Sequence, residues 1–226
     1  MEHGRWYPSA LTLADGAILV GSGSYYDGIR TTSNNAASQI WTGRGWRTLP
    51  DKVLSLYPRW HLLPDKLVLI CGTNSEAFGK PSTLIHIQGG LSAPGRLQGP
   101  RDYAPSVMYD VGKIMYIGGG NDPGSNLPSR KVEVIDCTLP FDQRTWLPAA
   151  SLHHRRRHHN ATILPDGTVL VTGGTSGKDF NDLSPGRPVH IAEYGFRIKI
   201  IGQSFRLKLW IDVIIPPLSR CQMVPC

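Results

Sequence analysis

One short phrase occurs four times in this chain and limits the fold more than any other feature. In its fullest form, at residues 157–174, two apolar runs flank a Pro165-Asp166-Gly167 turn, and the second run ends at Gly173-Gly174. Asp-Gly between apolar runs is a strong local hairpin signal, because both residues tolerate positive φ. Thr168 to Thr172 is rich in β-branched residues, as a strand should be. The other copies run through Asp15-Gly16 to Gly21-Ser22-Gly23, through Asp65-Lys66 to Cys71-Gly72, and through Asp110-Val111-Gly112 to Gly118-Gly119. The turn aspartates Asp15, Asp65, Asp110 and Asp166 are 50, 45 and 56 residues apart.

A period near 50 with glycines after the second strand is the kelch signature, in which each repeat forms one four-stranded propeller blade. The remainder of each period fits. Ser38 to Trp41 and Lys131 to Ile135 read as third strands, and Trp46 and Trp146, each followed by Leu-Pro, mark the fourth. The fold class expected is all-β: a partial kelch-type β-propeller of about four antiparallel blades, not closed. The blades fall near 5–50, 51–100, 101–150 and 151–194, within a domain 1–194, and 195–226 is set apart as a tail.

Composition agrees. Gly and Pro are frequent (25 and 18 of 226 residues), and charged residues make up only 18%, which suits a strand-and-turn protein. No stretch is long and apolar enough to span a bilayer, so no membrane partner is expected. Met1-Glu2-His3-Gly4 leads directly into a strand, so no secretory leader is expected, and localisation stays open. The net charge of +7 does not imply nucleic acid. Residues 195–226 carry +4 of it, leaving +3 over the first 194 residues, with no basic stripe for phosphates. Cys71, Cys137, Cys221 and Cys226 have neither metal spacing nor a disulfide framework.

Arg5-Trp6-Tyr7-Pro8-Ser9, Leu56-Tyr57-Pro58-Arg59, Ser106-Val107-Met108-Tyr109-Asp110, Arg156-Arg157-His158-His159-Asn160-Ala161-Thr162 and Phe180-Asn181-Asp182 follow one another along the chain. In this order they resemble the galactose oxidase and glyoxal oxidase family of copper-radical oxidases. The resemblance implies that Tyr7 is the copper-binding tyrosine that carries the radical, and that Trp6, Tyr57 and His158 flank the substrate pocket. It also implies copper as the parent cofactor and a primary alcohol or aldehyde as the parent substrate, oxidised by O₂ with release of H₂O₂.

Two departures lower the expectation of activity. The family cross-links its tyrosine to a cysteine of the preceding blade, and no cysteine precedes Cys71 here. The chain is therefore expected to begin inside its parent. Of the copper ligands, Tyr7 alone has a counterpart, so bound copper is not expected. His153, His154, His158 and His159 look like a metal cluster, but adjacent strand residues such as His158 and His159 face opposite sides, and a solvated or structural role is expected for them. Asn160-Ala161-Thr162 matches a glycosylation sequon, expected to be shut off by its inner-strand position.

The text changes character at Gly195, where the family continues to its Tyr-His ligand pair. Reading the codons of residues 194–224 in the adjacent frame permits Trp, Asp, Tyr-His-Ser-Thr and Pro-Asp-Gly in family order. A frame-shifted tail, loosely packed, is the expectation. The alternative is a real pair of strands, since Phe205, Leu207, Leu209, Ile211 and Val213 alternate with period two. In function the leading reading is an inactive fragment of a copper-radical oxidase. An active enzyme completed by a second chain, and a kelch module that binds a protein partner, are the alternatives.

Overall fold

The structure, a computed structural model, describes residues 1, 4–26, 32–51, 54, 56–71, 83–86, 91–92, 101–120, 127–179, 182–195 and 210–213. Each repeat folds into one four-stranded antiparallel sheet. Blade 1 contains β1 (Ser9–Thr12), β2 (Ile18–Gly21), β5 (Gln39–Trp41) and β6 (Trp46–Thr48), with a hairpin of β3 (Ser24–Tyr26) and β4 (Thr32–Asn34) inserted between its second and third strands. Blade 2 contains β7 (Arg59–Leu62), β8 (Leu67–Cys71), β9 (Thr83–His86) and β10 (Leu91–Ser92). Blade 3 contains β11 (Ser106–Asp110), β12 (Lys113–Ile117), β13 (Val132–Asp136) and β14 (Leu147–Ala149). Blade 4 contains β15 (Asn160–Ile163), β16 (Val169–Thr172), β17 (Ala192–Gly195) and β18 (Trp210–Val213). Among the described residues the helical content is one 3₁₀ turn, Phe141–Gln143.

The hairpin turns form by side-chain capping. Ala17, Leu67 and Thr168 donate their backbone N–H to Asp15, Asp65 and Asp166 Oδ1 at 3.0, 3.1 and 3.0 Å. The residue after each aspartate is left-handed: Gly16 at φ 81°, Lys66 at 65° and Gly167 at 81°. The aspartates themselves are not. Each loop is thus a three-residue turn closed by an aspartate side chain, with its left-handed position at the third residue.

Three apolar clusters weld the sheets face to face, one per blade boundary. Leu13, Leu19 and Ile40 meet Trp60, Val68 and Ile70 between blades 1 and 2. Leu63, Leu69 and Cys71 meet Ile114, Tyr116, Ile135 and Trp146 between blades 2 and 3. Met115, Ile117, Val132 and Val134 meet Val169 and Val171 between blades 3 and 4. Each of these side chains stabilises by about 1.5–3 kcal/mol when fully buried, so the boundaries hold the blades together. Gly21 lets blade 2 approach: a Cβ there would meet Ser38 Oγ and Trp60 Cη2 at 2.6 Å each.

The sheets do not close into a ring. Ile18 and Trp46 hold in blade 1 the repeat positions of Ile114 and Trp146 in blade 3, yet they are 38% and 39% exposed against 0% and 6%. No described blade covers that face.

An arginine clamp recurs at the corner leading into three blades, buried at Arg101 and Arg156 and half-buried at Arg5. Arg5 donates to the Ser22 and Ala37 carbonyls and to Gln39 Oε1. Arg101 donates to the Lys131 carbonyl and Glu133 Oε2. Arg156 donates to the Gly173 and Ile191 carbonyls and, at 2.7 Å, to Glu193 Oε1. In each case the acceptor side chain lies two residues beyond the carbonyl at the start of the third strand, so the guanidinium ties the blade's leading corner to its middle strands. Buried charges are tolerated because they are paired and hydrogen-bonded.

Two expectations are corrected here. Asn160, in the sequon, is exposed and not shut off. Residues 210–213 are not an irregular extension: β18 pairs with β17 in the register Ala192↔Val213, Glu193↔Asp212, Tyr194↔Ile211 and Gly195↔Trp210. The boundary drawn at 194 falls inside β17, and the alternation read at Ile211 and Val213 lies in this strand. Phe205, Leu207 and Leu209, like Phe180 and Asn181, lie outside the described residues.

Candidate active site at the propeller mouth

The inner strands begin at a common rim, and on that rim the backbone repeats an unusual conformation. Tyr7, Tyr57, Tyr103 and His158 stand just before β1, β7, β11 and β15, with φ of 62°, 52°, 50° and 54°. Left-handed φ is uncommon for bulky residues and persists only where the surrounding structure imposes it. Here the arginine clamp fixes the chain two residues earlier at Arg5, Arg101 and Arg156, and the inner strand fixes it two to three residues later. The strained residue throws its ring out over the mouth.

The four rings form a continuous arc. Tyr7 and Tyr57 have centroids 4.5 Å apart, Tyr57 and Tyr103 6.2 Å, and Tyr103 and His158 stack at 4.1 Å. Trp6 lies 56% exposed and extends the arc by stacking on Tyr7 at 3.7 Å. Its backbone is held by paired hydrogen bonds with Ser24, at 2.7 and 2.8 Å. Partial desolvation and then a hydrogen bond with the Tyr7 hydroxyl raise the Tyr57 pKa above the ordinary tyrosine value. Tyr57 therefore stays a neutral phenol, able to donate to the Tyr7 oxygen.

Trp6, Tyr7, Tyr57 and His158, expected at the site from sequence, share this mouth. Tyr103 was missed. Its signal was present: Arg101-Asp102-Tyr103 repeats the spacing of Arg5-Trp6-Tyr7 and Arg156-Arg157-His158. His158 and His159 diverge. His158 is exposed at the mouth, whereas His159 is 5% exposed beside Gly118 and Gly174 in the boundary between blades 3 and 4. Desolvation, reinforced by the charge of Arg156, pushes the His159 pKa down to about 3, so it is a neutral packing group.

Mononuclear Cu(II) calls for nitrogen and oxygen donors in one plane. Around Tyr7 the described residues offer phenol oxygens from Tyr7 and Tyr57. The rim's nitrogen donor, His158, is engaged with Tyr103. By themselves the described residues do not compose a copper site.

No family model matches the chain. Galactose oxidase of Gibberella zeae is 27% identical over 210 residues, an alignment covering 82% of this chain and 30% of that protein. The chain thus spans under a third of the length of this relative. Among solved structures, "Novel fungal alcohol oxidase with catalytic diversity among the AA5 family, in complex with copper" superposes with a TM-score of 0.52 at 17% identity, covering 85% of this chain and 51% of that one. The structure of YjhT gives a TM-score of 0.62 at 13% identity, covering 84% and 68%. The chain is a galactose oxidase homologue, built as an unclosed set of kelch-type propeller blades.

Proposed function

We propose that this chain is the tyrosine-bearing arc of a copper-radical oxidase propeller, and that its aromatic mouth is shaped for a small primary alcohol or aldehyde. The observation that supports the reading most strongly is the Tyr7–Tyr57 pair: a left-handed tyrosine aimed into the mouth, with a neutral phenol hydrogen-bonded to it. Copper, when bound in such an oxidase, supplies the redox chemistry with O₂ as the electron acceptor.

The chain's own residues have separate tasks. Tyr7 offers one oxygen. Tyr57, kept neutral, packs its ring 4.5 Å from that of Tyr7. Trp6 covers the Tyr7 ring and excludes water from one face, while Tyr103 and His158 continue the apolar rim on which a small substrate would rest. Among the described residues no nitrogen ligand stands beside Tyr7, and this supports the reading that the 226-residue polypeptide alone does not turn over. The test is peroxide release: purified chain with Cu(II), O₂ and a series of primary alcohols and aldehydes yields no H₂O₂ above a Tyr7→Phe control. Catalytic peroxide that disappears in Tyr7→Phe overturns the inactive reading in favour of a complete enzyme.

A further inference from the structure

We propose that His153, His154 and Asp212 form a site for a divalent transition-metal ion such as Zn(II), clipping the outermost strand of blade 4 to the segment that leads into that blade.

The two histidines lie in the bend between β14 and β15, and Asp212 lies on β18. His153 Nδ1 is 2.9 Å from Asp212 Oδ1, and His154 Nε2 is 3.4 Å from Asp212 Oδ2. Adjacent residues on a strand could not converge in this way, but in a bend both imidazoles turn to one carboxylate. Two imidazole nitrogens and a carboxylate suit Zn(II), with water completing the shell. With Zn–N and Zn–O near 2.0–2.1 Å, tetrahedral donor atoms sit about 3.3–3.4 Å apart. His153 meets Oδ1 and His154 meets Oδ2 of the same carboxylate, so one ion held by all three requires both rings to turn toward it. All three side chains are partly exposed, at 47%, 34% and 40%, which leaves room for ion and water.

The ligands are also held from behind. Glu193, fully buried, accepts the backbone N–H of His153 at 2.6 Å and of His154 at 3.2 Å while paired to Arg156. It is also the cross-strand neighbour of Asp212. One buried carboxylate therefore fixes both the histidine bend and the strand that carries the third ligand, the support from behind that metal sites use. Glu193, His153 and Asp212 each offer a ligand atom within 4.8 Å of the other two, but the Glu193 oxygens are already committed to Arg156 and the two amides. Exposed His–carboxylate contacts contribute little stability by themselves, so they do not account for two imidazoles gathered on one pinned carboxylate.

The site shares no residue with the mouth and does not rest on the oxidase reading. Calorimetric titration of the 226-residue chain with Zn(II) should show saturable one-to-one binding, weakened at least about tenfold by His153→Gln and by Asp212→Asn, and unchanged by Tyr7→Phe. No saturable uptake by the wild-type chain, or equal uptake by both variants, overturns the proposal. Co(II) provides a measurement that needs no variant: ligand-field absorption of a nitrogen-ligated low-coordinate ion supports the site, and the spectrum of aqueous Co(II) alone contradicts it.

Discussion

The ring of Tyr7 lies 4.5 Å from the ring of Tyr57, across a blade boundary and fifty residues along the chain. Two equivalent positions of the repeat thus become neighbours at the mouth. The contact exists because both backbones are left-handed at that point, which turns the rings off their own blades and toward the common rim. It also leaves a titration signature. In an alkaline difference titration of wild type against Tyr57→Phe, the missing phenol should ionise above the ordinary tyrosine range, and Tyr7→Phe should bring that ionisation down. An ordinary Tyr57 titration, indifferent to Tyr7→Phe, would remove the hydrogen bond from the account.

The buried pair of Arg156 and Glu193 should be among the costliest to break. Both side chains are 0% exposed. Arg156→Ala strands a buried carboxylate, and the expected loss is about 3–5 kcal/mol, read as a shift in urea midpoint. Lys178→Ala, at the surface, is the control and should stay within about 0.5 kcal/mol of wild type. A loss under about 1 kcal/mol for Arg156→Ala would show that the clamp does not organise the blade.

The close approach between blades 1 and 2 can be tested at Gly21. Its substitution by Ala puts a methyl 2.6 Å from Trp60 Cη2, and overpacking of this kind costs about 1–3 kcal/mol. Pairing Gly21→Ala with Trp60→Leu should cost less than the sum of the two single substitutions, since the smaller side chain makes room. Strict additivity would mean that the two residues do not touch in solution.

Stability should fall between pH 6.5 and pH 4. His61 is partly buried against Ser106, 2.7 Å from its hydroxyl, and desolvation followed by the Arg59 charge pushes its pKa down to about 4. The unfolded chain binds that proton near pH 6.5 and the folded chain does not. The contribution is therefore complete above pH 6.5, is lost progressively as pH falls, and levels off below about 4. For His61 alone it amounts to roughly 3 kcal/mol. His159, with its pKa near 3, adds in the same direction. Denaturant midpoints that stay flat from pH 7 to pH 4 in wild type, or an unaltered slope in His61→Gln, would contradict these assignments.

The repeat was legible in the sequence because hairpins write themselves locally: an aspartate that caps its own turn, a left-handed residue after it, a β-branched run and a glycine pair. The blades and their number follow from that phrase alone. The arginine clamps were not legible, since Arg101 and Glu133, or Arg156 and Glu193, are more than thirty residues apart and only the folded sheet brings them together. Tyr103 was missed for a related reason. It lies outside the motifs that carry the resemblance, and only its position two residues after a clamp arginine places it on the same rim as Tyr7. The strand at Trp210–Val213 went against expectation because its text departs from the resemblance, while the β17 edge facing away from β16 offers backbone hydrogen bonds to any strand of suitable alternation and takes up β18.

The central claim is that the mouth keeps the tyrosine of a copper-radical centre without composing the centre itself. Its most direct test is Cu(II) titration of the Asp212→Asn chain, in which the outer histidine site is disabled, followed by optical absorption and electron paramagnetic resonance under air. The account predicts no tyrosinate-to-copper charge-transfer band, no tyrosyl-radical absorption, and a copper signal that Tyr7→Phe leaves unchanged. One equivalent of Cu(II) bound with a charge-transfer or radical band that vanishes in Tyr7→Phe would contradict it.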